Sequence, residues 1–265
     1  MTLSWFLPWR QRFLVWQFAR RDILARYRSS WLGLAWSFLT PLLMLGVYTF
    51  VFQTVFEARW ANSNARPLEF ALQLYAGLIV FGLFTEILTR SPYLIVEQPN
   101  LVKKAVFPLE ILPWGALLAA LFHTFLNILV LLIAIVATRG DLPWSLLALP
   151  LVVGTCLPVL LGTAWFLSAL GVFVRDVGHI MGMITSLLLF LSPVFYPSAA
   201  MPEHVRIWLF FNPLTLIIEQ MRRIVLEGLW PEWGFLALYF VLGCFIAILG
   251  ALWFQLTRKG FADVL

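Results

Sequence analysis

Residues 111–138 read ILPWGALLAALFHTFLNILVLLIAIVAT, twenty-eight positions without a formal charge. A helix rises 1.5 Å per residue, so about 20 apolar residues cross roughly 30 Å of hydrocarbon. This stretch is long enough to do so. Working outward, five more stretches meet or approach that length: 32–56, 70–88, 146–174, 180–195 and 233–256, with 180–195 the short one. Of the 265 residues, 62% are hydrophobic and 12% are charged, where a soluble domain carries about 45–50% and about 25%. Such a chain cannot cover itself with polar surface, which excludes a soluble enzyme, a disordered tail and a DNA-binding domain. The net charge of +5 then belongs to the cytoplasmic ends of spans rather than to nucleic acid. The expected fold class is an all-α integral membrane protein with six transmembrane helices.

Six spans put both ends of the chain on one side. Arg10, Arg12, Arg20, Arg21, Arg26, Arg28, Arg90, Lys103, Lys104, Arg175, Arg258 and Lys259 fall on that side. The other side holds six basic residues, three of them in a long segment that counts little. The positive-inside rule therefore places both termini in the cytoplasm. The basic stretch before the first span is too long for a signal-peptide n-region, so the N-terminus is expected to be retained. Pro41, Pro113, Pro150 and Pro158 lie inside spans, where neighbouring helices can satisfy the freed carbonyls. Cys156 and Cys244 sit in apolar runs and match no metal motif.

Three segments are not spans. Residues 7–31 carry Phe13, Trp16, Ile23, Leu24 and Tyr27 on one helical face, interrupted by Arg20. They predict an interfacial helix under the inner leaflet, or simply topogenic charge with anchors. Residues 90–110, RSPYLIVEQPNLVKKAVFPLE, mix apolar and polar positions. They predict either a docking surface, with a short helix over 93–97 ended by Pro99, or an ordinary loop. In residues 197–232, Asn212 can cap a helix with Pro213 at its first position. Leu214, Ile217, Ile218, Met221, Ile224 and Val225 form its apolar stripe. Glu219, Arg222, Arg223 and Glu227 line its other faces, with Glu219 and Arg223 spaced as an i,i+4 pair. Gly228 can terminate it. Either a hairpin dips back into the membrane here or the helix lies flat on the outer surface.

No GxxxxGK[ST] stretch exists, so the chain does not hydrolyse ATP alone. His123, His179 and His204 have no second ligand at i+3 or i+4. His123 precedes Asn127 by one turn inside a span, a pair suited to helix–helix hydrogen bonding or to function. Glu86 and Glu110 lie near span ends, which gives a proton relay little support. Tyr48, Phe52 and Phe56 repeat at i, i+4, i+8, and Trp31, Trp36, Phe190, Phe195 and Tyr196 add further aromatics. They can line a glycan path or face lipid.

Four stretches in order resemble a known family: RRDILARYRSSWLGLAWSFLTPLLMLGVYTFVF, NLVKKAVFPLEILP, LSPVFYP and FNPLTLIIEQMRRIVLEG. They resemble ABC-2 type permeases that export polysaccharides, closest to the O-antigen exporter permeases, with capsule and teichoic acid permeases as near relatives. The resemblance spans nearly the whole chain and implies a single transmembrane unit over 1–265. Residues 1–31 are then the interfacial helix, 32–196 spans one to five, 197–232 a re-entrant outer hairpin and 233–257 span six. It also implies a homodimer in the bacterial inner membrane with two copies of a cytoplasmic ATPase, which holds ATP and magnesium; this chain needs no cofactor. The substrate implied is an undecaprenyl-pyrophosphate-linked polysaccharide. Arg20, Arg21, Arg26, Tyr27, Arg28 and Trp31 match the entrance gate, where the arginines are candidates for the lipid pyrophosphate. Tyr93, Leu94, Glu97, Pro99, Asn100 and Leu101 match the ATPase-coupling helix. Trp36, Tyr48, Phe52 and Phe56 are the expected channel aromatics. Phe195, Tyr196, Asn212, Glu219, Arg222 and Arg223 fall in the outer gate. An exporter of small lipids or drugs, a membrane-embedded glycan-modifying enzyme and a structural scaffold remain as alternatives.

Overall fold

The structure, a computed structural model, describes residues 8–27, 31–51, 67–103, 107–198 and 201–265. Every regular element among them is helical. In chain order they are α1 (Arg12–Tyr27), α2 (Trp36–Phe50), α3 (Pro67–Arg90), α4 (Pro99–Val102), α5 (Ile111–Arg139) and α6 (Leu149–Phe173). Then come α7 (Val177–Leu191), α8 (Glu203–Phe211), α9 (Pro213–Val225), α10 (Trp233–Thr257) and α11 (Phe261–Val264).

Four stretches are long and apolar enough to cross a membrane: Glu69–Tyr93, Ile111–Arg139, Trp144–Phe173 and Trp233–Val264. Two shorter apolar helices, α2 and α7, have 15 residues each, about 22 Å of rise. The second half of the first expected span, with Phe52 and Phe56, lies outside the described residues. The fifth expected span is displaced. Its helix starts at Val177 and stops at Leu191 rather than running over 180–195. Ser192 precedes Pro193, and the residue before proline favours extended backbone; Ser192 has φ −99° and ψ 149°.

The helices run between two ends. At one, which we call the loop end, Arg258 bonds Glu110 Oε2 (3.0 Å) and the Phe107 carbonyl (2.9 Å). Phe261 of α11 packs there against Phe254 and Phe173. At the other, the hairpin end, Arg139 faces Glu69 (3.6 Å) and donates to the Leu226 carbonyl, while Ser145 Oγ donates to Ile224 O (2.6 Å). Helix α3 is central and packs against α2, α5, α6, α7 and α9.

Small residues set the closest helix crossings. A Cβ on Gly162 of α6 would fall 2.6 Å from the Ile246 carbonyl oxygen of α10, and Gly250 of α10 has no room for one against Gly162. The opposite face of α10, with Leu238, Val241, Phe245 and Leu249, is exposed and apolar, as a lipid-facing surface must be. Helix α1 packs on α5 through a stripe that shares only Ile23 with the expected interfacial face. Val15, Ala19 and Ile23 are buried, and Gly115 of α5 admits the Phe18 and Ala19 backbone. Phe13, Trp16 and Leu24 are exposed. The i,i+4,i+8 stripe of smaller side chains lets the helices approach, and the bulky aromatics are left outside.

Helix α9 is packed into the bundle. Nine of its thirteen residues are buried, including the whole expected apolar stripe. It packs along α3 as far in as Gly77, where a Cβ would meet Ile218 at 3.5 Å.

Candidate functional site

A cavity of about 500 Å³ opens between the end of α1 and helices α2, α3 and α5. Arg26, Glu86, His123, Asn127, Tyr75 and Tyr48 supply its polar side, and Pro41, Met44, Leu78 and Phe81 its apolar side. A second space of about 470 Å³ shares Arg26, Phe81, Gly82 and Glu86 with it and reaches Thr89, Arg90 and Tyr93 at the loop end. Together they form a groove along α3. Gly82 borders both, and nothing lies within 4 Å of the place its Cβ would take. A larger residue there would project into the groove.

Three elements meet on its polar side. Arg26 of α1 places Nη2 at 3.2 Å from Glu86 Oε1 of α3 and Nη1 at 2.8 Å from His123 Nδ1 of α5. His123 Nδ1 is 2.9 Å from Glu86 Oε1. One turn on, Asn127 Nδ2 donates to the His123 carbonyl (2.8 Å), and Tyr75 Oη donates to Asn127 Oδ1 (3.0 Å). The polar pair of α5 does therefore bridge to α3. Sequence reasoning found His123, Asn127 and Arg26 but not Glu86 as their partner. The signal available was that Glu86 is the one charged residue between Glu69 and Arg90 of α3.

The other expected entrance residues diverge. Arg20 is exposed, and Trp31 is 98% exposed. Arg21 lies over the Phe18 ring, 4.6 Å from its centroid, and reaches Gln98 Oε1 at 3.5 Å and Asp22 at 3.7 Å. Tyr27 ends α1; its side chain and Arg28 lie outside the described residues. Of the expected aromatics, Tyr48 lines the cavity, while Trp36 is exposed and does not.

In the 90–110 loop, Pro99 begins α4 rather than ending a helix. Proline at a first helical position gives up an N–H that has no partner anyway. The preceding residues form a short 3₁₀ turn, Ser91–Tyr93, and a single α-type turn closed by Glu97 N donating to Tyr93 O (2.9 Å). Leu94 is buried with Ile95, which makes it an anchor of the loop. Glu97 and Asn100 are exposed, Pro99 and Leu101 half-buried, and Glu97 pairs with Arg90 (2.9 Å). The loop seats on the α6–α7 junction: a Cβ on Gly178 would collide with the Tyr93 hydroxyl, and one on Gly171 with the Pro92 carbonyl.

At the hairpin end Asn212 Oδ1 accepts from Leu214 N (3.0 Å), capping α9, and its Nδ2 donates to Ser192 Oγ (2.8 Å). Phe195 stacks on Phe190, and Tyr196 Oη donates to the Phe190 carbonyl (3.1 Å). Arg222 corrects the expectation of a polar-face residue: it is 6% exposed. Its Nε donates to Gln73 O (3.0 Å), Nη1 to Pro193 O (2.7 Å) and Nη2 to Val194 O (2.7 Å). Glu219 and Arg223 do not pair. Glu219 accepts from Ser198 N (3.2 Å), and Arg223 bonds Glu232 and the Trp230 carbonyl.

A bundle of apolar helices around a groove, polar on one side and apolar on the other, is the build of a membrane permease. The profile of the ABC-2 type transporter family matches residues 14–226, and the chain belongs to that family. It is 25% identical over 247 residues to an O-antigen export system permease protein, RfbA, of Klebsiella pneumoniae, covering 92% of each chain. Identity to the RfbA of Myxococcus xanthus is 28% over 226 residues, covering 84% of each. To the polysialic acid transport protein KpsM of Escherichia coli it is 24% over 236 residues, covering 86% of this chain and 88% of that one.

Proposed function

We propose that the chain is the membrane subunit of an exporter that carries a lipid-linked polysaccharide across the bacterial inner membrane. The observation that carries this reading is the end-to-end similarity to relatives named for O-antigen export and polysialic acid transport. The groove agrees with it in chemistry. Its apolar side suits a prenyl chain, its cation an anionic phosphate, and its amide and hydroxyls a sugar. Helices α2 and α7 complete six crossings, both termini lie in the cytoplasm, and α8–α9 form a re-entrant outer hairpin. Two copies pair as a homodimer with two copies of a cytoplasmic ATPase, which binds ATP and magnesium. The exposed Glu97 and Asn100 face that partner, and the seating of Tyr93 and Pro92 on α6 and α7 carries its motion into the bundle. The passenger is an undecaprenyl-pyrophosphate glycan.

The test is made in cells lacking the chain. Lipid-linked glycan accumulates on the inner side and surface glycan disappears; the intact gene restores both. Normal surface glycan with no internal pool contradicts the reading and favours an exporter of small lipids or drugs, which shares the family's fold.

A further inference from the structure

The chain does not leave the bundle after α10. A 3₁₀ turn, Arg258–Gly260, leads into α11. Phe261 is fully buried there, its ring centroid 5.5 Å from that of Phe254 and 5.9 Å from that of Phe173. The turn aims Arg258 at the last residues of the loop that joins α3 to α5. Its Nη1 is 3.0 Å from Glu110 Oε2, and its Nη2 donates to the Phe107 carbonyl at 2.9 Å. The ion pair is sheltered: the Arg258 side chain is 27% exposed and Glu110 13%, so solvent screens it less than a surface pair. Glu110 stands at the N-cap of α5, yet its side chain caps no helix N–H. Its carboxylate faces Arg258 instead, and its carbonyl accepts from Trp165 Nε1 of α6 at 3.2 Å. The loop thus has two seats. Its start rests on Gly171 and Gly178 through Pro92 and Tyr93, and its end is held by Arg258. The exposed Glu97 and Asn100 lie between them.

We propose that Arg258 is a positioning residue for ATP coupling: the tail after α10 clamps the end of the ATPase-facing loop, so that a push on the loop moves α5, α6 and α10 together instead of bending the loop. A guanidinium suits this task because its rigid fork fixes two acceptors at once, here on residues 107 and 110 of the turn that starts α5. Coupling passes through packed and hydrogen-bonded elements, and those are continuous here. Arg258 follows α10, and α10 meets α6 backbone to backbone at Gly250 and Gly162. Helix α6 carries both Trp165, which holds Glu110, and Gly171, which seats Pro92. Both seats of the loop therefore engage one closely packed pair of helices. That the push comes from an ATPase rests on the export reading; the clamp on the loop does not.

The experiment uses the full-length chain in proteoliposomes with its ATPase and a fluorescent undecaprenyl-pyrophosphate oligosaccharide. R258Q and E110Q are expected to retain the ATPase and to hydrolyse ATP, but to move about tenfold less glycan per ATP, the scale of one charge-assisted contact. R258K, which keeps the ion pair without the fork, falls between them and the parent. A purely structural Arg258 lowers yield but leaves glycan per ATP unchanged in the complex that is recovered. E110Q, nearly isosteric, carries the test should R258Q not fold. Unchanged glycan per ATP in the recovered variants overturns the proposal. Loss of the ATPase from them also overturns it, because Arg258 is then part of the docking surface. Amide hydrogen exchange of the chain alone in nanodiscs reads the clamp without any substrate. Exchange over residues 109–112 is expected to quicken about tenfold in R258Q and E110Q, while the middle of α10 stays unchanged. Equal exchange overturns the clamp, whatever the chain carries. A parent complex that moves no glycan with ATP, beside quickened exchange in the variants, contradicts the export reading and leaves the clamp standing.

Discussion

Arg222 donates to three main-chain carbonyls that come from two distant segments, α3 and the turn after α7. Truncating it strands buried acceptors as well as removing a charge, so R222A is expected to cost about 3 kcal/mol or more. Thermal unfolding of the detergent-purified chain checks this, with R222K falling between parent and alanine because an ammonium lacks the planar fork. None of this was legible in the sequence, where Arg222 stands beside Arg223 and within one turn of Glu219 and looks like part of a solvated face. Its partners are backbone atoms 28 to 149 residues away, and a carbonyl leaves no mark in the residue types. Asn212 is the opposite case. Its cap on Leu214 N is local, was legible from Asn-Pro before an apolar stripe, and N212A is expected to cost about 1 kcal/mol in the same assay.

Among elements, α6 and α10 meet backbone to backbone at Gly162 and Gly250. A valine at 162 must push the helices apart, since the obstruction is main chain. G162V is expected to lower stability by about 2–3 kcal/mol, read as reduced yield of monodisperse protein and a lower unfolding temperature. The loop between α3 and α5 divides its roles: Leu94 and Ile95 anchor, Glu97 and Asn100 present themselves to solvent. The double variant E97K/N100A is therefore expected to fold normally yet lose most of its co-purification with the ATPase. Equal recovery of the partner contradicts that assignment. The long spans and the buried face of α9 were legible because apolar runs and a 3.6-residue stripe are local periodicities. The end of α7 was displaced because the apolar letters continue through Val194 and Phe195 while the backbone turns at Ser192-Pro193. The packing of α1 on α5 was not legible, because it rests on small residues, Ala19 against Gly115, that carry no apolar-bulk signal.

At the scale of the whole molecule, the groove along α3 joins a prenyl-compatible apolar side to a polar side and runs to the loop proposed to meet the ATPase. Its composition was partly legible: arginines before the first span, a polar pair in the third, a tyrosine in the first. Their convergence was not, because it depends on α1 folding back onto α5 and on Glu86 closing the cluster. The central claim is that this chain, with its ATPase, moves a lipid-linked glycan across a bilayer. The most direct measurement reconstitutes both subunits in proteoliposomes with a fluorescent undecaprenyl-pyrophosphate oligosaccharide and follows its accessibility to an impermeant glycosidase. The account predicts a change of side that requires ATP and is lost when either subunit is omitted. A glycan that stays on its side, or crosses equally without ATP, contradicts it.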